Sequence, residues 1–443
     1  MKRIVILGGG ESGVGSAILA KTKGMDVFLS DFGSLGTHYK KMLEQWEIEF
    51  EEGKHTEELI LNADEIIKSP GIPDKVHIVR AVQRKGIPII SEIEFAGRYT
   101  DAKTICITGS NGKTTTTTLI YEILKNAGYN VGLAGNIGRS FALQVATESY
   151  DWYVIELSSF QLDGTFDFRA DIAVLTNITP DHLDRYDYQM QNYINSKFRI
   201  IRNQTDKDFF IYNADDQVTV DNISSFEIKS NLLPFSVKNS SANAILDNAE
   251  IICKLENHEF KFAGDRLKIK GIHNIYNVMA SALAAISAGI NDEDLAQTLE
   301  EFAGVEHRLE VVREKDGVLY VNDSKATNVD SVWYALESMT RPVIWIAGGT
   351  DKGNVYDSLK GFAKEKVKTL ICMGLDNSKL KDSFKGIIND IKDTSSLSET
   401  MKAIKETAKP GDVVLLSPAC ASFDLFLNYE DRGRKFKEEV NKL

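Results

Sequence analysis

The chain has 443 residues, which at ~150 residues per domain predicts about three domains. Its 43% apolar and 26% charged content suits a protein with sizeable packed cores. A formal net charge of −12 argues against a general nucleic-acid binder, which needs a basic face, but leaves room for an anionic small substrate in a locally positive site.

Met1-Lys2-Arg3 and the apolar run 4–7 imitate a signal peptide for a few residues only. Gly8-Gly9-Gly10 ends the run, which reads instead as a buried first strand. The turn Gly8-Gly9-Gly10-Glu11-Ser12-Gly13 fits GxGxxG, and Asp31 follows at the end of the next strand. Alone, this suggests a dinucleotide-binding dehydrogenase. Its physical content is narrower: a tight turn presents amides at a helix N-terminus to a phosphate. A nucleotide diphosphate fits that content as well as NAD, and a structural turn is the third reading. Ser69-Pro70-Gly71-Ile72-Pro73 forms a second loop at the same sheet edge, either closing over a ligand or acting as a rigid turn.

After residue 95 the pattern restarts. A strand at 104–107 runs into Thr108-Gly109-Ser110-Asn111-Gly112-Lys113-Thr114-Thr115-Thr116 and then a helical stretch over 119–127. The glycines let amides turn inward around phosphate oxygens, the lysine supplies a point charge, and the Thr114 hydroxyl can ligate Mg²⁺. The match to GxxxxGK[ST] is imperfect, since Ile107 stands at the first position. The strand 153–155 ends in Glu156, a carboxylate facing the crevice where ligands of parallel sheets bind. The strand 173–175 leads to Asp181-His182-Leu183-Asp184-Arg185, where His182 is a candidate ligand for a second metal ion.

Lys197 lies in a helical stretch over 188–201, and its neighbours at i±3 and i±4 are Tyr193, Ile194, Ile200 and Ile201. It therefore points with the apolar stripe. Burial favours a neutral amine, which near a metal can take up CO₂ as an anionic carbamate. A lysine snorkelling from the edge of the stripe is the alternative.

Further apolar runs at 343–347, 369–372 and 413–416 complete a β-α alternation of parallel sheets covered by helices. The predicted fold is α/β in three domains. These are a Rossmann-like N-terminal domain over 1–95, a central phosphate-loop domain over 96–304, and a C-terminal Rossmann-like α/β domain over 305–443. The short alternating pieces of 217–270 predict a small antiparallel appendage on the central domain. Cys106, Cys253, Cys372 and Cys420 form no CxxC pair and read as free buried thiols of a reducing compartment. No stretch reaches the ~20 apolar residues of a membrane span. A soluble cytoplasmic protein, with neither membrane nor nucleic acid as partner and working as a monomer, is expected.

TGSNGKTTT at 108–116, IELSS at 155–159, DHLDR at 181–185 and Lys197 together resemble the Mur ligase family; HNIYN at 273–277, EHRLE at 306–310 and NDSKATN at 322–328 continue the match. Such ligases activate a carboxylate as an acyl phosphate with ATP, and an amino acid's amine then displaces phosphate. NDSKATN and LLSPACASFDLF at 415–426 are most similar to the branch that adds D-glutamate to UDP-N-acetylmuramoyl-L-alanine in peptidoglycan synthesis.

The resemblance implies that the first domain holds the UDP part of the substrate, through Glu11, Ser12, Asp31, Ser69, Pro70 and Gly71, and that Asn136 touches the muramoyl part. Gly109, Ser110, Asn111, Gly112, Lys113, Thr114 and Thr115 bind ATP phosphates, with Asn274, Asn277, Arg308 and Asp323 completing the ATP site. Two Mg²⁺ ions are implied, one on Thr114 and Glu156, the other on His182 and carbamylated Lys197. Lys325, Thr327, Lys352, Ser422 and Tyr429 frame D-glutamate. Closure of the domains around the acyl phosphate is expected to exclude water. Two positions depart from the family pattern: Asp31 is followed by Phe32-Gly33 rather than a polar or basic residue, and Tyr429 stands where a phenylalanine is more familiar.

Overall fold

In the computed structural model, the described residues run from 1 to 443 except His182 and Lys352, and except the side chains of Asp184 and Asp330. Each of three sheets anchors an α/β domain, and the chain divides into two compact units: 1–266 with 276–301, and 267–275 with 302–443.

The first sheet has the order β3-β2-β1-β4-β5, all parallel. Its strands are β1 (Arg3–Leu7), β2 (Asp26–Asp31), β3 (Glu49–Glu52), β4 (Glu65–Lys68) and β5 (Ile89–Ile90). The apolar residues of β1 are fully buried because helices cover both faces. The direction of strand addition reverses between β1 and β4, which opens a crevice at their carboxyl ends.

The second sheet contains β6 (Lys103–Thr108), β7 (Val131–Gly135), β8 (Trp152–Glu156), β9 (Ile172–Leu175), β10 (Phe209–Asn213), β11 (Asn231–Ser236), β12 (Ala244–Asp247), β13 (Glu250–Leu255) and β14 (His258–Ala263). Its order is β14-β13-β12-β11-β10-β9-β6-β8-β7. Strand β6 lies between β8 and β9, so Ile107 pairs with Glu156, and Thr108 with Leu175. That register brings three chemistry-bearing strand ends to one edge. The antiparallel appendage is narrower than its alternation suggests. Gln217–Ile223 is a helix and β11 pairs in parallel with β10, leaving only β12–β14 as the antiparallel extension of the central sheet.

One hydrophobic core runs through both of these sheets. Val14, Ala17 and Ile18 of the first helix (Glu11–Thr22) join Phe95, Phe141, Leu143 and Tyr153 in a single buried cluster.

The second unit is built on β15 (Glu310–Lys315), β16 (Val318–Asn322), β17 (Val343–Gly348), β18 (Val367–Met373), β19 (Asp390–Thr394) and β20 (Val413–Ala419). The order is β15-β16-β20-β17-β18-β19, parallel apart from the antiparallel edge strand β15. No helix among the described residues is long and apolar enough to cross a membrane.

Candidate active site

The phosphate loop is shaped by two glycines whose conformation other residues resist. Gly109 has φ +146° and Gly112 has φ +84°. A Cβ on Gly109 would lie 1.9 Å from Thr176 Oγ1, and one on Gly112 would lie 2.4 Å from Asn277 Oδ1. The helix Lys113–Asn126 begins at once, earlier than the apolar pattern over 119–127 suggests, so its N-terminal amides and dipole face the loop.

The turn after β9 braces the loop. Ser110 N donates to Asn177 O (2.9 Å) and Asn111 N to Asn177 Oδ1 (3.0 Å). Thr176 Oγ1 donates to Asn111 O (2.6 Å), and Ser110 Oγ donates to Thr179 O (2.8 Å). Ser110 Oγ also lies 3.0 Å from Tyr193 OH. Lys113 Nζ folds back onto the carbonyls of Gly109 and Ser110, both at 2.7 Å.

Lys197 is 2% exposed, as its place on the helical stripe predicts. Its stretch divides into the helix Met190–Phe198 and a 3₁₀ turn Arg199–Ile201. The amine donates to Gly109 O (2.8 Å) and Thr108 Oγ1 (3.2 Å) and lies 5.2 Å from the centroid of the Tyr193 ring. Desolvation, and then the nearby Lys113 charge, push its pKa well below the ordinary lysine value; Asp181, Glu156 and Asp163 oppose them. Burial thus favours the neutral form of an amine held against the phosphate loop.

Glu156 ends β8 at 1% exposure. Its Oε1 accepts from Asn136 Nδ2 at 2.6 Å, whereas its buried Oε2 has no partner. Asn136 N also donates to Glu156 O at 2.9 Å. A buried carboxylate oxygen without a donor is costly by itself and fits a divalent cation, for which Thr114, 5% exposed on the adjoining helix, offers a hydroxyl. His182 lies outside the described residues.

At the crevice of the first sheet, Gly8 is held against the Ser69 loop. A Cβ there would be 2.5 Å from Ser69 Oγ, and Ser69 N donates to Leu7 O at 2.9 Å. Asp31 accepts from Gly9 N (2.5 Å) and Gly33 N (2.6 Å). Glu11 accepts from Ser140 N and Tyr39 OH, both at 3.1 Å, and Ser12 O accepts from Ser16 Oγ at 2.8 Å.

Arg185 was not singled out by sequence, yet it joins two loops of the site. Its guanidinium donates to Pro70 O (3.3 Å) and Gly71 O (3.4 Å) and lies 4.4 Å from the Phe160 ring centroid. Its position at the end of DHLDR was the available signal.

Within the second unit, Asp323 is buried and its pKa is pushed up to about 6, chiefly by desolvation, with Arg308 opposing. It accepts from Ser417 Oγ (2.8 Å) and Leu309 N (3.1 Å). Arg308 Nε is buried without a partner, as is His273 Nδ1; desolvation, then the Arg308 charge, lower the His273 pKa to about 4. Asn274 Nδ2 donates to Lys270 O (2.8 Å). In the first unit, Asn277 Oδ1 accepts from Thr116 Oγ1 (3.3 Å).

Lys325 Nζ lies 5.4 Å from the Tyr429 ring centroid, Thr327 N donates to Lys325 O (2.9 Å), and Ser422 is 2% exposed. Lys352 lies outside the described residues. The buried Arg432 ties this region together and gave no sequence signal. It donates to Ser324 Oγ (2.9 Å), Ser324 O (2.8 Å) and Cys420 O (3.3 Å).

A phosphate loop with a buried amine on one side and a cation-seeking carboxylate on the other defines an ATP-dependent enzyme, and comparison with known proteins gives its family. The sequence matches the Mur ligase middle domain over residues 107–285, the Mur ligase glutamate ligase domain over 307–420, and the MurD N-terminal domain over 3–78. The chain belongs to the Mur ligase family, whose members use ATP and Mg²⁺. It is 54% identical over 445 residues to the UDP-N-acetylmuramoylalanine--D-glutamate ligase of Bacteroides fragilis, covering 100% of both chains. The enzyme of the same name from Christiangramia forsetii is 52% identical over 443 residues, again with 100% of both covered. Among solved structures, the pseudomurein peptide ligase type C of Methanothermus fervidus aligns with a TM-score of 0.64 at 22% identity over 100% of both chains. The UDP-N-acetylmuramate-alanine ligase of Thermotoga maritima aligns with a TM-score of 0.64 at 20% identity, covering 100% of this chain and 99% of the other. These two likenesses concern the fold.

Proposed function

We propose that the enzyme joins D-glutamate to UDP-N-acetylmuramoyl-L-alanine through an acyl phosphate, releasing ADP and phosphate, in peptidoglycan synthesis. The observation that carries the chemistry is the unpartnered, buried Glu156 oxygen on the strand paired with the one that enters the phosphate loop.

A substrate carboxylate oxygen attacks the γ-phosphorus and ADP leaves. The D-glutamate amine then attacks the acyl carbon, phosphate leaves, and the nitrogen gives up a proton. Both partners of the first step are anions, so charge opposes their approach. Lys113 turns from the carbonyls of Gly109 and Ser110 to the outer phosphates. Thr114 and Glu156 would hold one Mg²⁺ ion, and His182 with carbamylated Lys197 a second; ions there would offset the repulsion and stabilise charge on the transferring phosphoryl group. The neutral form of Lys197, which burial favours, can attack CO₂ through its nitrogen and lose one proton, which turns a buried amine into an anionic carbamate. Asn136 links the metal-holding Glu156 to the muramoyl end of the substrate. Asn274, Asn277, Arg308 and Asp323 serve the nucleotide; Lys325, Thr327, Lys352, Ser422 and Tyr429 serve the incoming amino acid.

In this reading residues 1–95 hold the UDP substrate, 96–304 carry the ATP chemistry and 305–443 receive D-glutamate. The enzyme works as a monomer in the cytoplasm, a setting supported by four cysteines that are all free and buried. The test is phosphate release from ATP in the presence of UDP-N-acetylmuramoyl-L-alanine, with amino acids offered singly. Release strictly dependent on D-glutamate is expected; dependence on a different amino acid would overturn the assignment.

A further inference from the structure

Phe32 is 72% exposed and follows directly on β2, one strand over from β1 and its glycine turn. Single exposed apolar side chains are common and mean little by themselves. This one stands at a sheet edge where nucleotides bind. In open parallel sheets the phosphates sit on the turn after the first strand, and the nucleoside extends toward the end of the second.

The segment carrying Phe32 is firmly held. Gly33 N donates to Asp31 Oδ1 (2.6 Å), Gly53 N to Gly33 O (3.0 Å), and Leu35 N to Glu52 Oε2 (2.8 Å). Lys40 in turn pairs with Glu52 at 2.6 Å. Phe32 is therefore kept in water by a braced loop, and the hydrogen bond from Gly9 N to Asp31 (2.5 Å) ties that loop to the glycine turn.

A second ring flanks it. The His55 centroid lies 5.8 Å from that of Phe32, with the planes inclined by 41°. His55 Nδ1 is 2.7 Å from Ser30 Oγ, which fixes the ring. Desolvation lowers the His55 pKa against the opposing charges of Glu51 and Asp31, which favours the neutral ring. Asp31, at the end of β2, already accepts from the Gly9 and Gly33 amides with its two oxygens. The hydrogen-bonding group is thus engaged with the protein, whereas the aromatic face is exposed.

We propose that Phe32, flanked by His55, is the platform on which the uracil base of the substrate stacks, so that this chain reads the base by its face. The proposal rests on the UDP-substrate reading above. Stacking engages the face that every base has and only weakly discriminates edge groups, so CDP is expected to compete with UDP at this site.

The test is titration of UDP into the full-length protein and its Phe32→Ala, Phe32→Leu and Phe32→Trp variants, with ATP binding and thermal midpoint as controls. Phe32→Ala and Phe32→Leu are expected to weaken UDP about tenfold or more. Phe32→Trp should keep UDP binding and show fluorescence quenching, with ATP affinity and thermal midpoint unchanged throughout. Unchanged UDP affinity in Phe32→Ala and Phe32→Leu would overturn the stacking proposal while leaving the substrate reading intact. A parent protein that binds no UDP would overturn the substrate reading and this proposal with it.

Discussion

Asn136 holds one oxygen of the Glu156 carboxylate at 2.6 Å and leaves the other buried without a donor. A residue assigned to the substrate thereby orients a residue assigned to the metal. Asn136→Ala is expected to lower apparent Mg²⁺ affinity or activity about 10–100-fold, the range for groups that orient a metal ligand. Glu156→Gln should abolish the thermal stabilisation that Mg²⁺ with a non-hydrolysable ATP analogue gives the parent. Steady-state titration of Mg²⁺ and thermal melts measure the two, and an unchanged Mg²⁺ dependence in Glu156→Gln would remove this residue from the metal site.

Lys197→Ala should reduce kcat by on the order of 10²–10³-fold, as expected when charge stabilisation at a transferring phosphoryl group is lost. Its fold should survive, because the native lysine is buried against its own solvation preference. Acetate or formate should restore part of the activity by supplying the missing carboxylate. Full activity in Lys197→Ala without added carboxylate would sink the carbamate role.

Gly109→Ala and Gly128→Ala form a matched pair. Both native residues have positive φ, +146° and +82°, but only at Gly109 would the new Cβ strike a neighbour, Thr176 Oγ1 at 1.9 Å; nothing lies within 4 Å at Gly128. Gly128→Ala should cost about 1–2 kcal/mol from backbone strain alone. Gly109→Ala should cost more and also lose ATP affinity. Urea midpoints and nucleotide titration distinguish them, and equal costs with ATP binding retained would contradict the packing described.

Glu92 is buried, and its pKa is pushed up to about 7, chiefly by desolvation, although Ser140 Oγ and Ala142 N donate to it. The folded state therefore holds its proton through a range in which the unfolded chain, at the ordinary value of 4.5, has released it. This contribution to stability is complete below pH 4.5 and falls as pH rises to about 7, by at most about 3 kcal/mol. Glu92→Gln keeps an acceptor for Ser140 and cannot ionise. Denaturant midpoints measured between pH 5 and pH 8 should decline less steeply in the variant than in the parent; identical slopes would refute the assignment.

Much of this site is local information. The glycines and Lys113 announce a phosphate loop in one short segment, and helix periodicity alone aims Lys197 inward. The brace formed by Thr176 and Asn177 is different in kind, because it exists only once β6 is paired with β9 in a particular register. Arg432 likewise gains meaning from three segments that meet around it. The alternating pattern after residue 217 overextended the antiparallel region because a partly exposed parallel strand such as β11, which lies between β10 and β12, carries the same period as an antiparallel one.

Ser140 caps a helix of the central domain, donates to the Glu11 carboxylate through its backbone N–H, and donates to Glu92 through its hydroxyl. A Cβ on Gly15 of the first helix would come within 1.9 Å of that hydroxyl. The first sheet is consequently not a portable module. A chain cut near residue 95 would bare apolar helix surface and strand a buried carboxylate on the fragment that remains. Swapping this domain between relatives should succeed only when the Ser140 segment travels with it.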